Sequence, residues 1–563
     1  MVPRVTLPIT RDGLTITDRV CWVILAVAMA IAAGLTLYLN RGTTFFVDEL
    51  AWVSSSPTLS GAGDVLEPHN GHLIATTRLI YKAVLESTGP DYVAFRGLAV
   101  LAILLSTGIF FSLVKRRIGA LPALAPVLVL LFFGSAWQHV IVPVGFPIIF
   151  SVAAGLAALL ALERADGRGD FAACALLVLS IATYTTGLAF LVGVAISVLI
   201  RPDRRQRAWI FAIPLALYAA WWLWAGYSEQ EGQTKLSNVL LIPSFVAESL
   251  AAVTAALTGL AYDFTNPSGG PGIELGWGQV LAVGAVVALA LRIRRGDVPA
   301  GLWVSLAIML TYWVLGALAA GPERAPSSVR YLYLGAVGVL LVATAAAAGI
   351  RFSRLGLAAL FAVTAFSLAT NLAFLRDGGA FFRNEYSSPL RAQFAMLELA
   401  RDRVDPNFDP KAALPDVSPQ RVHTGAYLAG VDRYGSPAFS LSELERQADG
   451  VRQAADQILA SALRLRLGPS RGRQPAGACR RLRGQPPGAP ITFEVPAGGA
   501  TMRARAVGPA LVTVGRFGSS PSAGVGTLSP GETAQLRIAS DASAKPWQAS
   551  VAGATAVAVC GLR

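Results

Sequence analysis

Apolar segments long enough to cross a bilayer recur along the first two thirds of the chain, and clusters of arginine and lysine separate them. About 20 apolar residues in a helix span the hydrocarbon core of a membrane. Only 14% of the 563 residues are charged, and the mean hydropathy is +0.54. A soluble domain carries about a quarter charged residues, whereas a charge inside a bilayer costs at least about 2.5 kcal/mol. The sequence therefore predicts an α-helical polytopic membrane protein.

Four basic clusters give the expected topology: Lys115–Arg117, Arg201–Arg207, Arg292–Arg295 and Arg351–Arg354. Short cytoplasmic loops are enriched in lysine and arginine, so an even number of helices is expected between neighbouring clusters, about 11 transmembrane helices in all. This predicts a multi-pass plasma-membrane protein with a cytoplasmic N-terminus and an extracytoplasmic C-terminal domain. The same arginines explain the formal net charge of +13. Since the sequence has no P-loop, zinc-finger or RNA-binding signature, no nucleic acid is expected as a partner.

The apolar runs give the expected helices. The first run, Val20–Leu39, is predicted to be a retained helix because no clear signal-cleavage site accompanies it. Residues 171–200 are predicted to form two short helices broken near Tyr184–Gly187. Residues 245–260 are apolar, but they are left outside the count because a further helix there would break the parity. The other helices are predicted at about 94–114, 120–135, 146–162, 208–225, 276–291, 299–320, 330–349 and 355–375.

Three regions follow from this pattern. Residues 1–375 form the polytopic transmembrane domain, with an extracytoplasmic loop at 40–92. Residues 376–487 form an extracytoplasmic helical and arginine-rich linker region. Residues 488–563 alternate apolar runs with turn residues, which predicts a small extracytoplasmic β-rich domain. Its strands are predicted at 491–495, 501–507, 510–517, 533–539, 547–553 and 555–560. The C-terminal part as a whole is predicted to be a small α/β-sandwich.

The four cysteines fall into two pairs. Cys21 and Cys174 lie inside apolar runs and are expected to be inert core residues. Cys479 and Cys560 bracket the β-rich domain, and the predicted topology places both in an oxidising compartment, where a disulfide is expected. Two free thiols or a metal pair are the alternatives, although no further ligands lie at zinc spacing.

The strongest polar constellation lies in the first outside loop. Asp48 and Glu49 closely follow the first helix in TTFFVDELAW, and His69, Asn70 and His72 follow in EPHNGH. A carboxylate pair at the membrane surface suits general-base catalysis on an acceptor hydroxyl. Combined with two imidazoles, it also suits a divalent metal bound to a phosphate. The alternative is structural: the acids cap a surface helix, and PHNGH is a turn.

An acidic pair just after the first transmembrane helix resembles the GT-C fold glycosyltransferases, integral membrane enzymes that use lipid-phosphate-linked sugars. The order of elements is similar over about residues 15–375: first helix, FVDE, long outside loop, many further helices. The turn PHNGH, the stretch Trp137-Gln138-His139 and the step Arg330-Tyr331 resemble uncharacterised bacterial members placed near that superfamily. The sequence departs from the family by lacking a second clear acidic motif, because Glu229, Glu231, Asp263, Glu274 and Glu323 are scattered.

The resemblance implies transfer of a sugar from a polyprenyl-phosphate donor to an extracytoplasmic cell-envelope glycan. Asp48 or Glu49 would be the base, with Glu49 preferred for its longer side chain, and His69 or His72 would assist. Whether a divalent metal such as Mg or Mn takes part stays open.

A donor phosphate needs a cationic partner. Arg330, with Tyr331, is the expected residue, Arg96 is an alternative, and Asn70, Gln138 and His139 are further expected substrate contacts. An arginine that only anchors a helix end is the competing interpretation of Arg330.

Two other functions fit the sequence. A lipid or polyprenyl transporter usually shows internal repeats or charges in mid-helix, and neither is clear here. A non-catalytic membrane scaffold would tolerate mutation of Asp48 and Glu49. The arginine run between Arg464 and Arg483 is either a solvated flexible segment or an attraction site for anionic lipid headgroups or wall polymers.

Overall fold

The computed structural model describes residues 16–226, 235–262, 272–321, 324–470, 479–484, 486, 488–538, 543 and 545–562. The chain forms two compact units. The first unit comprises Met1–Arg41, Thr58–Thr88 and Val93–Phe381, and the second comprises Gly42–Pro57, Gly89–Tyr92 and Phe382–Arg563. The acidic segment after the first helix therefore belongs to the same unit as the C-terminal region.

Helices account for most of the chain as far as Phe381. Up to residue 221 they are α1 (Ile16–Leu39), α2 (Asp48–Ser55), α3 (Ala62–Leu66), α4 (Ala75–Thr88), α5 (Tyr92–Ile118), α6 (Ala120–Leu131), α7 (Trp137–Val140), α8 (Phe146–Leu162), α9 (Gly167–Thr183), α10 (Gly187–Leu199), α11 (Arg204–Arg207) and α12 (Trp209–Trp221). Then follow α13 (Ile242–Thr258), α14 (Gly276–Arg294), α15 (Ala300–Leu318), α16 (Val329–Ala346) and α17 (Arg354–Phe381).

Ten helical segments of the described residues are long and apolar enough to cross a membrane. They are Asp18–Leu39, Tyr92–Ile118, Ala120–Val140, Pro143–Leu162, Arg204–Ala225, Leu236–Thr258, Gly276–Arg294, Ala300–Leu318, Val329–Ala346 and Arg354–Leu399. Such a set indicates a multi-pass membrane protein, in agreement with the sequence.

The helices differ from the predicted set of 11 in two places. The run from 171 to 200 is broken as expected, but α9 and α10 are only 17 and 13 residues long. The segment 245–260, which was left out of the count, is part of the 23-residue helical segment Leu236–Thr258. Its 3₁₀ start, Leu236–Leu241, lengthens it enough to span a bilayer by length and composition. The parity argument therefore loses its basis, and the orientation of the termini stays a prediction.

Small residues let helices of the first unit approach closely. A Cβ atom at Gly155 would lie 2.2 Å from a ring carbon of Phe190, and one at Gly278 would lie 2.2 Å from the carbonyl oxygen of Ala251. In a membrane, close van der Waals packing of this kind takes the place of the hydrophobic effect between helices. Larger residues at these two glycines would push α8 away from α10 and α13 away from α14.

Two interruptions of the helices are stabilised by buried side chains. Between α6 and α8 the chain forms short turns, and Oδ1 of the fully buried Asn371 accepts hydrogen bonds from the N–H and hydroxyl of Ser135 at 2.9 and 3.0 Å. At the break between α9 and α10, the hydroxyls of Ser151 and Ser180 donate to each other's backbone carbonyls at 2.8 and 2.7 Å. Non-helical backbone at membrane depth needs such protein partners.

The second unit combines α2 with later helices and the C-terminal strands. The helices are α18 (Ser388–Leu399), α19 (Pro410–Ala413), α20 (Thr424–Tyr434), α21 (Leu441–Glu445) and α22 (Asp449–Ala462). The strands are β1 (Leu467–Pro469), β2 (Arg480–Arg483), β3 (Ile491–Glu494), β4 (Gly499–Gly515), β5 (Ala523–Leu528), β6 (Thr533–Arg537) and β7 (Gln548–Gly561). Helix α2 packs against α20, and α22 packs against α18, β4 and β5.

The strands form one antiparallel sheet of order β1-β6-β4-β7-β2, with β3 paired to β7 and β5 to β4. The predicted sandwich is thus replaced by a single hydrogen-bonded sheet with α22 packed against it. Strands β4 and β7 are long, and each of them covers two strands that the sequence analysis predicted as separate. The register between them shifts after Arg505 and again before Leu511, so Gly508 and Pro509 form a bulge and not a turn.

Candidate active site

The acidic pair lies at the start of helix α2 in the second unit. Val47, which precedes the helix, has φ 34° and ψ −94°, a backbone conformation that is strained for a β-branched residue. This turn places Asp48 and Glu49 in the first turn of α2, where the helix dipole favours negative charge. The motif FVDE therefore has a defined, strained geometry and is not an irregular loop.

Glu49 is fully buried and serves the fold. Its Oε2 accepts a hydrogen bond from the N–H of Phe46 at 3.1 Å and one from the hydroxyl of Tyr92 at 2.8 Å. Asp48 is half-exposed. The preference for Glu49 as the base therefore finds no support in the geometry, because its carboxylate is inside the unit and Asp48 is the accessible acid of the pair.

The C-terminal region anchors this segment. The N–H of Val47 donates to Oε1 of Gln420 at 2.8 Å, and the N–H of Thr44 donates to the hydroxyl of Ser387 at 3.3 Å. The Phe46 ring meets the Phe382 ring edge-to-face at 5.3 Å between centroids. These contacts hold the residues just before Asp48 in place on both sides.

Gln420 is a candidate that the sequence analysis missed. A backbone N–H only donates, so its bond to Oε1 determines which way the amide faces. Nε2 is then the other end of the amide, and it is buried without a hydrogen-bond partner in the described part of the chain. A buried donor of this kind usually has an acceptor. No sequence signal marks Gln420, because it lies in an ordinary polar loop far from FVDE.

Helix α2 also lines a small apolar cavity of about 20 Å³ within the second unit. Its wall includes Leu50 and Val53 of α2 and two tyrosines of α20, Tyr427 and Tyr434. A cavity of this size has room for about one water molecule and not for a sugar ring.

In the first unit, PHNGH is a two-residue hairpin turn. Asn70 and Gly71 have φ of 50° and 76°, the two positive values that a type I′ turn requires and that an Asn-Gly pair favours. The flanking His69 and His72 exchange backbone hydrogen bonds of 3.0 and 2.9 Å. The prediction that PHNGH forms a turn is confirmed, and the turn fixes the positions of His69 and His72.

His72 contacts the break between α9 and α10. Its Nδ1 is hydrogen-bonded to Oγ1 of Thr185, and its ring centroid is 4.5 Å from that of Tyr184. The backbone of Tyr184 is extended, with φ −164°, and its carbonyl accepts hydrogen bonds from the N–H of Gly187 at 3.1 Å and the hydroxyl of Ser151 at 3.2 Å. The predicted assisting histidine and the predicted helix break thus lie together in the first unit.

Arg330 lies at the start of α16, half-buried, with its guanidinium carbon 5.4 Å from the centre of the Tyr331 ring. Its charge acts on His139, which is 4% exposed, and on Tyr312 of α15. The hydroxyl of Tyr312 donates to the carbonyl of Tyr331 at 3.3 Å. Arg330, Tyr331 and His139 were predicted separately and lie near one another. Tyr312 was missed, because one tyrosine in an apolar helix carries no signal.

Three further predicted contacts lie on separate elements of the first unit. Asn70 is exposed at the tip of its turn, Gln138 is half-buried on α7, and Arg96 is half-buried in the first turns of α5. Their assignment to substrate binding stays a prediction.

Other charged residues between α1 and α5 serve the fold of the first unit. Asp64 accepts from the N–H groups of Ser60 and Gly61 at 2.8 and 3.0 Å, and these bonds lower its pKa. The buried Arg78 donates to the carbonyls of Asp64 and Glu67 at the end of α3. Neither residue needs a ligand to explain its position.

The described residues offer no metal centre, since no group of three or more His, Cys, Asp or Glu side chains among them lies close enough together. Most of the scattered acids noted above, Glu229, Glu231, Asp263 and Glu323, lie outside the described residues. No chemical step is therefore assigned to Mg or Mn.

Cys479 and Cys560 form a disulfide, the pairing expected from the sequence. It joins the residue before β2 to strand β7, which are paired in the sheet. Cys21 and Cys174 are free and buried.

No family model matches the chain, and no curated protein sequence matches it.

Proposed function

We propose that the protein is a GT-C-like membrane glycosyltransferase, which transfers a sugar from a polyprenyl-phosphate donor to a hydroxyl of an extracytoplasmic cell-envelope glycan. The observation that supports this best is the difference in burial between the two acids of FVDE. Glu49 is buried and hydrogen-bonded, while Asp48 is accessible, next to a strained residue and held by a folded frame. Strained backbone and a positioned carboxylate concentrate at catalytic sites.

In the proposed reaction Asp48 is the general base. It takes the proton of the acceptor hydroxyl while that oxygen bonds to the anomeric carbon of the sugar. The bond between this carbon and the donor phosphate breaks, and its electrons leave with the polyprenyl phosphate. General-base catalysis of this kind contributes about 10²- to 10⁴-fold.

Gln420 is proposed to bind a substrate oxygen. Its Oε1 is occupied by the backbone of Val47, one residue before Asp48, and its Nε2 has no acceptor in the described chain. A hydroxyl or phosphate oxygen would supply that acceptor and remove the cost of an unsatisfied buried donor, about 1–3 kcal/mol.

The donor-binding part of the proposal concerns the first unit by itself. Arg330 gains support as a phosphate ligand from its surroundings, because a buried histidine and two tyrosines lie within the reach of its charge. A phosphate would form charge-assisted hydrogen bonds with the guanidinium, and such bonds are about twice as strong as neutral ones. His72 and Tyr184 offer further polar contacts on the same unit.

The test is sugar transfer from labelled polyprenyl-phosphate sugars in membranes that hold equal amounts of each variant. We expect Asp48→Asn to reduce turnover at least 100-fold, on the order expected for loss of a general base, and the matched Glu49→Gln to retain it. Arg330→Gln should raise the KM for the donor, whereas Arg330→Lys should restore part of the affinity. Equal turnover in wild type and Asp48→Asn would remove Asp48 from the mechanism. If wild type is inactive with every donor and Asp48→Asn still rescues a deletion phenotype, the scaffold function is favoured.

A further inference from the structure

Five exposed arginines lie on one face of the C-terminal sheet, and we name this set the arginine face. They are Arg481 and Arg483 on β2, Arg503 and Arg505 on β4, and Arg537 on β6. The alternate residues of the same strands are turned to the other side, where Met502, Ala504 and Leu536 are buried. Because side chains alternate along a strand, these five arginines share the face opposite to that of Met502, Ala504 and Leu536.

The strand register arranges four of these arginines in two rows. Arg481 and Arg503 are both paired with Ala558 of β7, one from each side, and Arg483 and Arg505 are both paired with Ala556. Two strand spacings separate the arginines of a row, about 10 Å, and about 7 Å separates the rows along the strands. The alanines between them are too short to cover the guanidinium groups.

The arginine face contrasts with two arginines of the helical part of the second unit. Arg401 pairs with Asp432 at 2.8 Å and Arg464 pairs with Asp405 at 2.7 Å. None of the five arginines on the sheet forms an ion pair with any described residue. Like charges about 7–10 Å apart repel each other weakly in water, and a bound anion would offset that repulsion.

We propose that the arginine face binds a linear anionic glycan, one that carries phosphate or carboxylate groups along its chain. Arginine forms bidentate hydrogen bonds with both groups, and two rows of arginines, each with an alanine between its two members, suit a chain with repeated charges. Interfacial membrane binding normally adds aromatic or long apolar side chains that enter the bilayer. The positions between the two arginines of each row are instead Ala558 and Ala556. This role does not depend on the proposed transferase activity.

The test uses the full-length protein in nanodiscs of phosphatidylcholine, which is uncharged overall. Binding of a fluorescently labelled poly(glycerol phosphate) and of polygalacturonic acid is measured, with neutral dextran as the negative control. The test variant is Arg503→Gln/Arg505→Gln. The matched control is Arg401→Gln/Arg464→Gln, which removes the same charge from arginines that already have acidic partners.

We expect the test variant to bind the anionic polymers at least about tenfold more weakly, and the control variant to bind within twofold of wild type. Binding should also weaken as salt rises, because the contacts are between charges. Equal losses in the two variants would overturn the proposal in favour of net charge. A wild type that binds no polymer would overturn it as well. Unchanged polymer binding, with binding to phosphatidylglycerol vesicles lost only in the test variant, would assign the face to a membrane surface instead.

Discussion

The two acids of FVDE are predicted to respond oppositely to mutation, because one is structural and the other accessible. Glu49 is fully buried, and its Oε2 accepts from the N–H of Phe46 and from the hydroxyl of Tyr92. Glu49→Leu would leave both donors buried without an acceptor, at about 1–3 kcal/mol each, or about 2–6 kcal/mol in all. Asp48→Asn keeps the size of a half-exposed side chain, so it should change the stability far less than Glu49→Leu does.

The measurement is native-state hydrogen exchange of the backbone amides of α2. A membrane protein of two units does not unfold as a single two-state transition, whereas exchange reports the local opening free energy directly. A loss of at least 2 kcal/mol corresponds to exchange about 30-fold faster or more. We expect that acceleration in Glu49→Leu and less than about threefold in Asp48→Asn.

Tyr92→Phe supplies the internal control. In the wild type it removes one hydrogen bond from Glu49, which should cost about 1 kcal/mol. In the Glu49→Leu background it removes a donor that already lacks an acceptor, so it should cost nothing or restore stability. Additive effects of the two substitutions, or wild-type exchange in Glu49→Leu, would refute the structural role of Glu49 and restore it as a candidate base.

Three further predictions concern stability. Asp170→Asn should destabilise the first unit by about 3 kcal/mol, because it leaves the buried Arg207 without the carboxylate that its Nε contacts at 2.9 Å. Thermal unfolding in detergent measures this effect, and the double variant Asp170→Leu/Arg207→Met should lose less stability than Asp170→Asn. Asp456→Ala should expose the turn after β4 to faster hydrogen exchange, because two backbone N–H groups there lose their acceptor at about 1–3 kcal/mol each. Cys560→Ser should lower the unfolding free energy of the sheet by about 2–5 kcal/mol, and a reductant should change the unfolding of wild type but not of this variant.

Hydrophobic length and helix-breaking residues predicted most of the first unit, because both are local properties. The break near Tyr184–Gly187 was predicted because the run from 171 to 200 had to supply two helices to satisfy the parity of the basic clusters, and the structure has the break. Residues 245–260 were left out of the count because a further helix there would break that parity. The structure has a helical segment over Leu236–Thr258 that is long enough to cross, so the parity argument wrongly outweighed the local apolar pattern.

The strands show where local turn signals fail. Gly508-Pro509 and Gly553 are typical of turns, yet β4 and β7 continue through them as bulges, and Gly553 has φ 83°. A long partner strand supplies hydrogen bonds on both sides of each bulge, so the chain gains more by continuing than by turning. These hydrogen bonds come from residues far away in the sequence, so a local stretch of sequence does not predict them.

The roles of the two acids depend on the same kind of distant information. The local sequence VDE does not predict which carboxylate is buried, because the burial of Glu49 depends on Tyr92, 43 residues later. The position of Asp48 depends on Gln420, whose amide holds the backbone N–H of Val47. The C-terminal region therefore contributes directly to the geometry of the acidic motif. A chain that ended after α17 would lack the groups that hold Val47 and Phe46, and its acidic motif would lose the geometry on which the proposed chemistry depends.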